Sequence, residues 1–332
     1  MLLGFDIGGT KCAVILGKFN KSGEIEIIEK EVLPTNRTVY DMIELLFVTG
    51  EHLLARHNTL TTNLQGIGIS CGGPLSSKRG LILSPPNLLG WDNIPIVDLA
   101  VKRFGCKVLL QNDANACAVA EWQFGAGRGF NNLVFLTFGT GMGAGLILDG
   151  RLYSGISDLA GEVGHLRLAD IGPVGFGKAG SFEGFCSGGG IAQLAQIKVR
   201  EKLQMGKKVS FCNNLNELSG LTAKSVAEAA YNGDKLALGI YETCAEYLGR
   251  GLSLLIDILN PEIIIIGSIY VRAQSIIEPT MMQVIEREAL VTSQRACRIV
   301  HAGLSENIGD IAALSLALMC NRPFVKRDST PV

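Results

Sequence analysis

The sequence predicts an α/β protein with mixed sheets flanked by helices, built as two domains of related design. Three observations predict it. Strand-length apolar runs alternate with helix-length amphipathic runs, the pattern of layered α/β folds. The chain has 332 residues, enough for two domains at roughly 150 residues each. One arrangement also occurs twice: a strand carrying one polar residue turns through Gly and Thr and returns as a second strand, at Asp6-Ile7-Gly8-Gly9-Thr10 and again at Thr137-Phe138-Gly139-Thr140-Gly141.

In chain order, strands are predicted at Leu2–Ile7, Lys11–Gly17 and Glu24–Leu33, joined by hairpin-like links at Gly8–Thr10 and Asn20–Gly23. A helix follows near Thr38–His57, then a buried strand Leu64–Ser70, a glycine turn at Cys71–Pro74 and a loop holding Ser84-Pro85-Pro86-Asn87. Val97–Phe104 reads as a helix, Lys107–Gln111 as a short strand, and Asp113–Phe124 as a helix opening on a polar cap. The second set begins with the strands Asn132–Phe138 and Ala144–Leu148. Helices are expected at Ile191–Lys202, Thr222–Asn232 and Asp234–Leu259, the last ended by Asn260-Pro261. Strand Glu262–Ile266, helix Val271–Leu290, strand Arg298–Gly303 and helix Asn307–Met319 complete the pass, and Gly206–Gly220 carries no readable motif.

Composition narrows the function. Thirty Lys and Arg balance thirty-one Asp and Glu, so no broad field favours nucleic acid or an anionic membrane, and a small ligand fits better. Nine scattered cysteines without a CxxC pair read as reduced thiols of a cytoplasmic protein. The apolar start Met1–Phe5 is cut by Asp6 and lacks a basic flank, and no apolar run approaches a membrane span. Forty-one glycines point to tight turns and close backbone approaches to a ligand.

The two glycine turns present convergent backbone N–H groups suited to phosphate, with Thr10 adding a hydroxyl and Lys11 a charge. Either turn alone reads more readily as a tight turn; both in equivalent settings reverse that. There is no GxxxxGK[ST] loop and no GxGxxG opening a helix at the start, which disfavours Walker-type NTPases and Rossmann dehydrogenases.

Asp6-Ile-Gly-Gly-Thr-Lys11, Asn112-Asp-Ala-Asn-Ala116, Leu136–Gly145, Gly161-Glu-Val-Gly-His165 and their spacing resemble the ROK family, from about residue 2 to about residue 320. That family comprises sugar kinases and sugar-responsive repressors on the two-domain actin-like ATPase (ribonuclease H-like) fold. The resemblance implies a small N-terminal domain of residues 1–118 joined by the returning helix of 306–322, a larger domain of 119–305 and a loose tail of 323–332. It implies Asp113 as the base that takes a proton from a sugar hydroxyl attacking the γ-phosphate of ATP. As a residue opening a helix, Asp113 also fits an N-cap. Asn87, Asn112, Glu162, His165 and Glu183 match sugar-binding positions. Taken singly, Asn87 also reads as a turn residue, Glu183 as a surface charge, His165 as one histidine among four, and Glu162 with His165 as a local pair.

By the same resemblance Asp6 holds Mg²⁺ through water, Gly8, Gly9, Thr10, Lys11, Thr140 and Gly141 face the phosphates, and Gly267 and Ser268 approach adenosine. Gly267-Ser268-Ile269 stands where the family has a more glycine-rich turn. The family often carries a structural zinc on the loop after its Glu-x-x-Gly-His motif, held by one His and three Cys in a CxCGxxGCxE pattern. Here the thiolate positions are Val174, Phe176 and Ser181, and Cys186 lies five residues off, so no structural zinc is expected and apolar packing of Val174, Phe176 and Phe182 is expected to hold the loop.

The implied activity is ATP- and Mg²⁺-dependent phosphorylation of a hexose or N-acylhexosamine at the 6-hydroxyl, with domains closing over both substrates. Pro86–Asp92 resembles the glucokinase branch, which makes glucose the first expectation, and a homodimer is implied. The alternatives are a sugar-responsive regulator, for which the first hairpin at residue 6 leaves no preceding DNA-binding domain, and a catalytically silent sugar sensor.

Overall fold

A computed structural model describes residues 1–321; the tail expected at 323–332 lies outside them. The chain begins β1 (Leu2–Ile7), β2 (Lys11–Phe19), β3 (Ile25–Pro34), α1 (Val39–Arg56), β4 (Gly66–Cys71), β5 (Leu75–Ser76), β6 (Leu81–Ile82), α2 (Ile96–Phe104), β7 (Val108–Asn112) and α3 (Asp113–Phe124). It continues with β8 (Leu133–Phe138), β9 (Met142–Leu148), β10 (Arg151–Leu152), β11 (Val174–Gly175), β12 (Lys178–Ala179), α4 (Phe182–Phe185), α5 (Gly188–Gln204), α6 (Ala223–Tyr231) and α7 (Lys235–Leu259). It ends with β13 (Ile263–Ile266), α8 (Ile269–Glu288), α9 (Val291–Ala296), β14 (Arg298–His301) and α10 (Ile308–Met319).

Two compact units result. The first comprises Met1–Asn131, Gly145–Ala160 and the chain from Gly303, and the second Asn132–Ala144 with Gly161–Ala302. The boundary expected after residue 118 therefore falls after Asn131, because α3 packs against α10 of the first unit. The sheets run β3-β2-β1-β4-β7 and β10-β9-β8-β13-β14. In each, an antiparallel hairpin leads into parallel strands: β4 lies parallel to β1 and to β7, and β13 lies parallel to β8 and to β14.

In the first unit the period of two along β1 divides two cores. Leu3, Phe5 and Ile7 pack with Met42, Leu46, Phe47 and Phe104 from α1 and α2. Leu2 joins Ala13, Ile15, Ala313, Leu314 and Ala317 beneath α10. The α10 helix approaches closely because β4 presents glycine there: a Cβ on Gly68 would lie 1.9 Å from the Ala313 carbonyl oxygen. Entry to α10 is fixed by Glu121, a fully buried carboxylate whose oxygens accept from the N–H groups of Ala126, Gly303 and Leu304 at 2.8–3.1 Å.

Most predicted elements recur with ends shifted by a few residues. The strand read from Leu64 begins at Gly66, after a 3₁₀ turn at Thr61–Asn63. The strand read to Gly303 ends at His301, and the motif-free 206–220 stretch holds a 3₁₀ turn at Leu215–Gly220. The two-residue strands and the short helices α4 and α9 escape sequence reading, since such pieces span fewer than two periods of their pattern. No helix among the described residues is long and apolar enough to cross a membrane.

Candidate active site

In the first unit the register of the sheet brings the chemistry to one edge. Ile7 of β1 pairs with Cys71 of β4, and Cys71 with Asn112 of β7, so the Gly8 turn and Asp113 leave the sheet at the same level. Ligands of open α/β sheets bind at such carboxyl ends. The Gly8 N–H donates to the Lys11 carbonyl at 3.2 Å, closing the first turn. From the end of β3 the Thr35 hydroxyl donates to the Gly8 carbonyl at 2.7 Å, and the Thr35 N–H to the Thr10 carbonyl at 3.0 Å. Gly9 is required by contact, because a Cβ there would lie 2.3 Å from the Asn87 carbonyl oxygen. Asn87 thus sits directly on the turn, while Thr10 and Lys11 remain exposed.

Asp113 is not the cap of its helix. Asn112 is: its Oδ1 accepts from the Asn115 N–H at 2.7 Å, leaving the Nδ2 amide to donate elsewhere. Asp113 occupies the first helical position, with Oδ1 accepting from the Ala114 N–H at 2.8 Å, and desolvation by the residues around it pushes its carboxyl above the ordinary aspartate range. Asp6, on the α10 side of β1, is pushed up to about 6 by burial and then by the charges of Asp113 and Asp310. Lys30 pairs with Asp310 at 2.7 Å.

This oxygen-only set suits a hard cation, whose charge would relieve the repulsion that raises Asp6. Among the described residues no three ligating side chains converge closely enough to hold an ion alone. A magnesium ion that keeps most of its waters needs no more than one such anchor.

In the second unit, polar residues gather around the turn between β8 and β9. The Gly139 N–H donates to the Gly141 carbonyl at 3.1 Å. Thr137, at the place in β8 that Asp6 holds in β1, spans its hairpin: its hydroxyl accepts from the Gly143 N–H at 3.0 Å. Glu183 of α4 accepts from the Met142 N–H through Oε2 at 3.0 Å. Gly164, in the 3₁₀ turn Val163–His165, packs against the Met142 carbonyl and the Glu183 side chain. Thr140, Gly141, Glu183 and the Glu162–His165 turn therefore meet within this unit, with Glu162 exposed and His165 half-buried.

Sequence reading started α5 too late, at Ile191. The helix opens at Gly188, capped by the Ser187 hydroxyl, and the Gly188 N–H donates to the Gly139 carbonyl at 2.8 Å. The signal was present in Ser187-Gly188-Gly189-Gly190, a capping residue followed by glycines that bring a helix N-terminus against another backbone. Gly267 and Ser268 arrive beside the same turn, and a Cβ on Gly139 would lie 3.6 Å from the Ser268 hydroxyl. Ser268 itself holds φ 54° and ψ −110°, a conformation that glycine adopts freely and that costs other residues about 1–3 kcal/mol.

The loop expected to pack through Val174, Phe176 and Phe182 is held differently. Only Phe182 is buried; Val174 is 47% and Phe176 68% exposed. β11 and β12 form a two-residue hairpin around Phe176 and Gly177, and its grip is polar. The Gln193 amide of α5 clamps Val174, accepting from its N–H at 2.9 Å and donating to its carbonyl at 2.8 Å. Ser181 caps α4 through the Gly184 N–H, and Cys186 is buried, its thiol donating to the Cys244 carbonyl. Valine, phenylalanine and serine supply none of the thiolates a structural zinc requires, so the donor set does not fit that metal.

The ROK family profile matches residues 2–319. A glucokinase of Thermotoga maritima is 30% identical over 324 residues, covering 95% of this chain and 96% of that protein. A xylose repressor of Caldicellulosiruptor bescii is 31% identical over 268 residues, covering 80% of this chain and 65% of the repressor. Among solved structures, a ROK family glucokinase of Streptomyces griseus in complex with glucose and AMPPNP superposes with a TM-score of 0.74 at 27% identity, covering 95% of this chain and 98% of that one. The doubled strand-turn-strand unit, the glycine turns at the strand ends and a match over nearly the whole described chain place this protein in the ROK family, on its actin-like ATPase fold.

Proposed function

We propose that the protein is an ATP-dependent sugar kinase that transfers the γ-phosphoryl group to the 6-hydroxyl of a hexose, glucose first, with N-acylhexosamines as the neighbouring class. The observation that carries this reading is the placement of Asp113. Its carboxyl is pushed above the ordinary aspartate range by the desolvating residues around it and is fixed at the first turn of α3, on the strand edge that also presents the Gly8–Lys11 turn. A carboxylate so placed accepts the hydroxyl proton as the sugar oxygen forms its bond to phosphorus and the bond to the ADP oxygen breaks. Both glycine turns offer N–H groups to the phosphates, Lys11 a positive charge and Ser268 a small wall toward adenosine. Asn87, the Asn112 amide, Glu162, His165 and Glu183 read the ring hydroxyls. Asp6 is the anchor for a water-held magnesium ion, which when bound neutralises charge on the phosphates. The nine free cysteines suit a reducing compartment.

The glucokinase likeness supports this reading, and the likeness to a xylose repressor supports the second, a sugar-responsive regulator. ADP release from Mg²⁺-ATP across glucose, mannose, fructose, allose, N-acetylglucosamine and N-acetylmannosamine separates them. Asp113→Asn keeps the oxygen that accepts from Ala114, so the helix start survives while turnover falls about 10²–10⁴-fold. Sugar binding without turnover in the parent protein favours the regulator, and turnover undiminished in the variant overturns Asp113 as base.

A further inference from the structure

The hairpin β11–β12 breaks a local rule at its tip. Phe176 and Gly177 are its two central residues, and both have positive φ, 42° and 75°. Such turns select Asn, Asp or Gly at the first central position, because a Cβ with a large side chain is strained there. A phenylalanine in that place is 68% exposed, so burial does not compensate the strain. What the ring does touch is His165: the two rings meet edge to face, centroids 5.2 Å apart at 77°. The same hairpin also holds the backbone of that residue, since the Lys178 ammonium donates to the His165 carbonyl at 2.7 Å. The hairpin is itself anchored to α5 by the two hydrogen bonds between Gln193 and Val174. Ring and main chain of His165 are thus gripped by one element.

We propose that Phe176 and Lys178 are positioning residues for His165, orienting its imidazole toward the sugar by an edge-to-face ring contact and a backbone clamp. The proposal rests on His165 being a sugar-binding residue, as read above. Strain held at an exposed turn and offset by one contact with a binding-site ring is the signature of a turn selected for that contact. Edge-to-face pairing suits the task because it fixes the orientation of the imidazole ring.

Phe176→Asn tests it, because the substitution improves the turn while deleting the ring. Expected are an unfolding midpoint equal to or above the parent's and a sugar KM raised about 3–10-fold with kcat nearly unchanged, the range an aromatic pair supports. Phe176→Trp restores the parental KM. A residue of purely structural value gives the reverse, no change in KM and a changed midpoint, and that result overturns the proposal. A second readout needs no activity. The chain has four histidines, so the ring resonances of His165 are assignable by NMR, and in Phe176→Asn they lose the ring-current shift of the phenyl group and broaden. An unchanged His165 resonance overturns the proposal whatever the kinetics. A shifted resonance in a protein without kinase turnover upholds it and overturns the kinase reading instead.

Discussion

The two glycine turns occupy equivalent places in their sheets and are braced by different means. The turn after β1 is held by main chain and a short hydroxyl: Gly8 to Lys11, Thr35 to Gly8 and Thr10, and the Asn87 backbone pressed on Gly9. The turn after β8 is held by a carboxylate, Glu183 on the Met142 N–H, and by the N-terminus of α5 on Gly139. The polar residues that precede them differ in the same sense. Thr137 spends its hydroxyl across its own hairpin, whereas Asp6 keeps a proton-affine carboxylate beside Asp113 and Asp310. The comparison teaches that one motif, used twice, is specialised by its surroundings: the first turn is braced by main chain and a hydroxyl and carries the charge, and the second is braced by a carboxylate and a helix end.

The largest expected effect breaks the first turn. Gly9→Ala forces the Asn87 backbone to move, costing about 1–3 kcal/mol in thermal unfolding, and lowers kcat/KM about 100-fold, as displacements near 1 Å at a reacting centre do. Gly141→Ala meets only the far end of Glu183, at 2.8 Å, and Gly139→Ala only the Ser268 hydroxyl, at 3.6 Å. Both are expected to cost less than a tenth of the Gly9→Ala loss. Equal losses at Gly9 and Gly141 would erase the distinction between a main-chain brace and a side-chain brace.

Next in size, Glu183→Ala removes a charge-assisted bond to the second turn, and the KM values for Mg²⁺-ATP and for sugar each rise about tenfold. A rise in the sugar KM alone would make Glu183 a sugar ligand with no part in bracing the turn.

Asp6→Asn tests the charge beside the first turn. The folded state holds the Asp6 proton to about pH 6, whereas a free aspartate releases it near 3.8. Stability therefore falls as pH rises through that window, and the ionised carboxylate costs up to about 3 kcal/mol above it. Without magnesium, Asp6→Asn is expected to melt several degrees higher than the parent at pH 7.5 and at the same temperature near pH 4, while activity is lost. A lower midpoint at pH 7.5 would reverse the sign.

The smallest effect belongs to the edge of the second turn. Ser268→Gly relieves its positive-φ strain and stabilises the fold by about 1 kcal/mol, read as a higher denaturant midpoint.

Much of the candidate site was legible in the sequence because its signals are local. Glycine with threonine at strand ends, an acidic residue opening α3, and Glu162 with His165 in one turn are patterns within five residues. What was misread depended on competition between neighbours or on distant partners. Asn112 and Asp113 both suit the cap of α3, and only the extended backbone of Asn112, φ −68° and ψ 158°, gives it that place. Val174 and Phe176 are apolar and read as packing, yet the two-residue hairpin turns them outward and leaves the grip to Gln193, which nothing near the loop announces.

By itself the sequence determined the periods of its strands and helices, the repeated turn, the edge where the polar residues emerge and the family to which the chain belongs. Those properties are set by side-chain alternation and backbone freedom over a few residues. The tertiary structure alone decided which of two adjacent residues caps α3, that Glu121 ties down the entry to α10, that Lys30 pairs with Asp310 from 280 positions away, and that a strained phenylalanine meets His165. Each of these is a contact between segments that become neighbours only after the sheets are paired and the helices packed, and no local propensity encodes such a meeting.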